Sequence, residues 1–69
     1  MTKQELKKGV KAWAWWLSRT IYYTGTELDS HGYNPETRDY VPQHQYLFED
    51  IAGARFRLTI DQVAKLEAR

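Results

Sequence analysis

The sequence predicts a small all-α domain, a single unit over residues 1–69. Three observations predict it. Apolar residues recur at steps of three and four along the first third, two Thr residues are each followed three positions later by Glu or Gln, and glycines stand where helices would stop.

Thr2 to about Tyr23 reads as a long N-terminal amphipathic helix. Thr2 and Glu5 have capping-box spacing, Leu6, Val10, Trp13, Leu17 and Ile21 share one helical face with Trp16 on its flank, and Gly25 supplies the stop. Residues 25–41 follow as an ordered loop. Gly25, Asp29, Ser30, Gly32, Asn34, Pro35 and Asp39 are turn formers, Asn34-Pro35 marks a turn start, and Tyr33 and Tyr40 can pin the segment to the body.

Beyond Pro42 the pattern favours two short C-terminal helices. Leu47, Phe48, Ile51 and Ala52 form one stripe, Gly53 to Leu58 the corner, and Thr59 with Gln62 a second capping box before Ile60, Val63, Ala64 and Leu66. The alternative is an α+β fold with a hairpin at 46–60, because Phe56, Leu58 and Ile60 alternate with Arg55, Arg57 and Thr59.

Composition narrows the function classes. There is no cysteine, so disulfides, thiolate metal sites and a cysteine nucleophile are excluded together. With no apolar run long enough for a span and no signal-like start, the expected location is the cytoplasm. The net charge of +1 conceals a strong segregation. Lys3, Lys7, Lys8, Lys11 and Arg19 gather near the start, and Arg55, Arg57, Lys65 and Arg69 near the end. Between them lie Glu27, Asp29, Glu36, Asp39, Glu49 and Asp50.

Catalytic chemistry finds little support, and no enzyme activity, cofactor or metal is expected. His31 and His44 are the only histidines, too few for a structural zinc site without cysteines. Asp29, His31 and Asp39 crowd one segment as the sole metal candidate, while Asp29-Ser30-His31 lacks the geometry of a triad. No phosphate-binding loop or dinucleotide fingerprint occurs.

Binding is better supported. Opposite the expected core stripe, Lys8, Lys11, Trp15, Arg19 and Tyr22 would share the helix's wet face, an arrangement of rings and cations common in interfaces. The expected function is a small non-enzymatic accessory protein that occupies a surface of a macromolecular partner. An inhibitor of a nucleic-acid-handling complex, of the sort encoded by phages and mobile elements, fits this composition. Its partner-binding residues would be Lys8, Lys11, Trp15, Arg19 and Tyr22, with Tyr33 and Tyr40 on the loop. The partner is a protein or a second copy in an oligomer, nucleic acid is the second class, and a membrane surface fits least. The acidic residues Glu27, Asp29, Glu36 and Asp39 offer another surface, suited to a basic site that nucleic acid would otherwise fill.

The C-terminal third also resembles a helix-turn-helix DNA-binding unit. Ala52 and Gly53 match its small position, Phe56 and Leu58 its corner, and Val63 and Leu66 its second-helix anchors. The resemblance implies that Thr59 and Gln62 open a recognition helix, with Arg55, Arg57, Lys65 and Arg69 reaching phosphates. Arg57 replaces the usual corner glycine, and Glu49 and Asp50 would repel DNA.

Overall fold

Strand alternation, not helical periodicity, governs the first third of the chain. In the computed structural model, which describes all of residues 1–69, Ala12 and Ala14 are fully buried while Lys11 and Trp13 lie on the opposite face. These residues form β1 (Lys11–Ala14), and a turn at 15–18 with Ser18 at φ 52° reverses the chain into β2 (Arg19–Asn34). Ile21 and Tyr23 of β2 then point inward beside the alanines. The expected N-terminal helix is therefore absent, and only a 3₁₀ turn at Lys3–Glu5 remains of it. Aromatic and β-branched side chains crowd residues 10–26, and they pack better on a pleated surface than around a helix.

The all-α expectation fails throughout, for 55% of the chain is strand and 12% helical. The expected loop 25–41 is instead the distal part of β2, a turn at 35–38, and the start of β3 (Asp39–Glu49). The first of the two C-terminal helices is replaced by a hairpin, in which β3 pairs with β4 (Arg55–Thr59) from Gln45↔Thr59 to Glu49↔Arg55. The hairpin weighed as the alternative for 46–60 is thus present, though with no long helix beneath it. The second helix shrinks to α1 (Ile60–Ala64), opened by the Thr59–Gln62 box, and β5 (Glu67–Ala68) closes on β1. Strand order in the antiparallel sheet is β4-β3-β2-β1-β5. No helix is long and apolar enough to cross a membrane.

The core lies on one face of this curled sheet. Ala12, Ala14, Ile21, Tyr23, Tyr46, Phe48 and Leu58 supply the sheet side, and Val63 and Leu66 close over them from α1 and its exit. Met1, Leu6, Val10, Trp16, Leu17 and Phe56 fill the margins. Asp50 ties the β3–β4 turn to the start of β2. Its carboxylate accepts from the Ala54 N–H at 2.9 Å and from Arg19 Nη1 at 2.8 Å. The Ala54 amide first, and then Arg19, hold that carboxyl below its ordinary range.

The sheet is not covered along its whole length. Between Tyr23 and Glu27 the β2–β3 register shifts, with residues 24–26 bulging opposite Leu47 and Gly25 at φ 88°. Neighbouring strands stop at this level: β1 reaches no further along β2 than Tyr22, and β4 no further along β3 than Gln45. Past it, residues 27–34 and 39–44 continue as a two-stranded ribbon, stretching the molecule to 37 × 23 × 21 Å.

Phe48 is completely buried at the centre of the core. Phe48→Ala is expected to cost about 3–5 kcal/mol, enough to unfold most of a domain this small. Urea denaturation followed by circular dichroism measures this loss directly.

Candidate binding arm

The ribbon beyond the bulge is an arm whose two faces differ. Cross-strand partners share a face, so Glu27, Asp29, His31 and Tyr33 of β2 stand with Tyr46, His44, Pro42 and Tyr40 of β3. This face prolongs the core side of the sheet beyond Tyr46 without any layer packed upon it. On the reverse lie Leu28, Ser30 and Gly32 with Gln45, Gln43 and Val41, where the Ser30 hydroxyl donates to Gln45 Oε1 at 3.0 Å.

At the tip, Tyr33 and Tyr40 meet edge to face with centroids 5.5 Å apart, yet remain 52% and 67% exposed. The turn beyond them is made by local polar chemistry. Asn34 Oδ1 accepts from the Glu36 N–H at 3.0 Å, and Arg38 takes the left-handed conformation at φ 57° before the chain returns.

Nearer the body, His44 is bracketed by two carboxylates. Its Nδ1 lies 2.8 Å from Asp29 Oδ1 and its Nε2 2.8 Å from Glu27 Oε1. Both contacts favour the imidazolium, in which both nitrogens donate. The bond to Asp29, then that to Glu27, raises the His44 pKa above its ordinary value. The ring also stands edge-on to Tyr46 at 5.2 Å, linking the arm to the core. Beside it, where β3 parts from β4, an open cleft of about 650 Å³ is bounded by His44, Tyr46, Ile60, Asp61 and Lys3.

The expected partner-binding residues do not form one surface. Trp15 occupies the β1–β2 turn, 58% exposed and edge-on to Trp16. Arg19 is engaged by Asp50 and lies over the Phe56 ring. Lys11 and Tyr22 are cross-strand partners on the outer face of the body, with Lys8 in the preceding turn. Tyr33 and Tyr40 stand apart at the far end of the arm. No helix back exists to unite them.

The helix-turn-helix arrangement is likewise overturned. Arg55 and Arg57 are on β4, and no first helix precedes the supposed corner. Thr59 and Gln62 hydrogen-bond one another in the cap of α1, Lys65 follows that five-residue helix, and Arg69 stacks over Trp13 at 5.1 Å. Asp29, His31 and Asp39 do not converge on a metal position, for Asp29 faces His44 while Asp39 accepts from the Tyr40 N–H.

The role of His44 escaped the sequence reading. Its only signal there was the spacing Glu27-x-Asp29, which puts two carboxylates on one side of a strand. No family model, curated protein or solved structure matches this chain.

Because folding raises the His44 pKa, its contribution to arm stability is complete below the ordinary histidine value. It is lost as pH rises through the folded-state value. Histidine NMR titration is expected to show His44 titrating high, with amide protection at 27–31 and 43–46 declining across the same interval. His44→Gln is expected to abolish that pH dependence.

Proposed function

We propose that this is a non-enzymatic binding protein that places its acidic arm in a basic surface of a macromolecular partner. The observation that carries the reading is the arm itself: an uncovered ribbon with two exposed tyrosines at its end. Glu27, Asp29, Glu36 and Asp39 reside on it against Arg38 and the His44 ring that Glu27 and Asp29 bracket.

A two-stranded ribbon projecting into water is marginally stable by itself, so burial against a partner gives it a physical purpose. Tyrosine delivers a large contact area with little loss of side-chain freedom and keeps a polar hydroxyl for the rim. The carboxylates would speed encounter with a cationic site and discriminate against acidic ones. A site built to hold phosphates answers that description, so inhibition of a nucleic-acid-handling complex is the activity this arm suits. Binding is favoured over catalysis because the arm's ionisable groups pair side by side in solvent instead of converging on an enclosed cavity.

Joint replacement Tyr33→Ala and Tyr40→Ala is expected to weaken partner retention at least tenfold. The body's thermal unfolding should stay within about 0.5 kcal/mol of the parent, since both rings lie outside the core. Affinity capture with parent and variant chains, each eluted by a salt gradient, reads this comparison. Equal retention by the two chains would show that the arm is not the contact.

A further inference from the structure

We propose that the outer face of the body, away from the core, is a binding surface for single-stranded nucleic acid. This surface is independent of the arm.

Pairing across four strands aligns Lys11, Tyr22, Glu49 and Arg55 in one row on that face. Adjacent strands are about 4.8 Å apart, so the row spans roughly 14 Å. The next row carries Leu47 beside Arg57. Lys8 borders the same groove, its aliphatic stem passing so close to Gly25 that an added Cβ there would meet it at 3.2 Å. The groove encloses about 420 Å³, with Tyr22, Thr24 and Leu47 among its walls.

Charge and aromatic surface coincide here. Lys8, Lys11, Arg55 and Arg57 take part in none of the ion pairs, which are Arg19–Asp50, Arg69–Glu67 and the two made by His44. Four cations, none held in an ion pair, thus stand around a half-buried tyrosine against Glu49, the one carboxylate in the row and the cross-strand partner of Tyr22 and Arg55. Sequence reading divides these groups between two elements, whereas the sheet joins Lys8, Lys11 and Tyr22 to Arg55 and Arg57.

The chemistry that fits is a flexible polyanion with flat, unpaired bases. Cations follow its backbone, and a ring exposed in a groove accepts a base by stacking without regard to sequence. Duplex DNA fits poorly. Its bases are already stacked, and this four-stranded face is broader than the α-helix or two-stranded ribbon that the major groove admits.

The test is fluorescence anisotropy of the full chain with a labelled twenty-residue oligothymidylate, and with a hairpin duplex of equal charge, from 25 to 300 mM salt at pH 7 (~20 phosphates each). The single strand is expected to bind more tightly than the duplex, with a log–log salt slope near −2 to −3, as about three or four neutralised phosphates require. Lys11→Glu with Arg55→Glu should reduce affinity at least tenfold, whereas Glu49→Gln should raise it. Tyr22→Ala is expected to lose about five- to one-hundredfold while Tyr22→Phe retains binding, the pair separating stacking from a folding defect. Far-UV circular dichroism verifies that each variant is folded. Absence of low-salt binding, equal affinity for the duplex, or indifference to the charge reversals overturns the proposal. So does light scattering that shows the face covered by a second copy, with the charge reversals restoring the monomer.

Discussion

The antiparallel ladder between β2 and β3 is the constraint from which the rest of the molecule follows. Within the body its inward residues, Ile21, Tyr23, Tyr46 and Phe48, meet the buried side chains of β1, β4 and the α1 region. Past the bulge at 24–26 the same two strands continue without neighbours, and the residues change from apolar to charged and tyrosyl. One ladder therefore makes both the core and the arm. In the arm, where no burial assists it, cross-strand partners take over: Asp29 with His44, and Tyr33 with Tyr40.

What could be read in the sequence was local or electrostatic. The Thr59–Gln62 box opens a helix, Asn34-Pro35 begins a turn, and four carboxylates of the acidic middle, Glu27, Asp29, Glu36 and Asp39, lie apart on the arm, while Glu49 and Asp50 stand among the cations of the body. The long-range pairing was not legible, for identifiable reasons. A step of four residues is about one helical turn but also two full pleats of a strand, so Leu6–Val10 and Leu17–Ile21 agree with either period. Only the step from Val10 to Trp13 favours a helix. The arm eluded recognition because neither face is apolar throughout: Glu27, Asp29 and His31 alternate with Leu28, Ser30 and Gly32, too few apolar residues to set a hydrophobic period. The site suffered in the same way. Candidate residues sorted by a helical wheel were regrouped by the sheet, with Tyr22 going to the outer face and Trp15 to a turn.

A net charge of +1 describes neither end of this molecule. The arm carries an excess of carboxylates, and the body's outer face carries lysines and arginines that outnumber Glu49, the one carboxylate in their row. Their separation gives the protein an electric polarity along its long axis. An approaching macromolecule would consequently meet different fields at the two ends, and orientation would precede contact.

The arm's bare flanks have a cost of another kind. Rows of backbone amides and carbonyls along residues 27–34 and 39–44 lack a third strand, and such margins invite templated stacking into fibrils. Pro42, which brings no amide hydrogen, and the charged side chains of Glu27, Asp29 and Asp39 act as gatekeepers against it. A few charged and prolyl positions thus do for the arm what neighbouring strands do for the body.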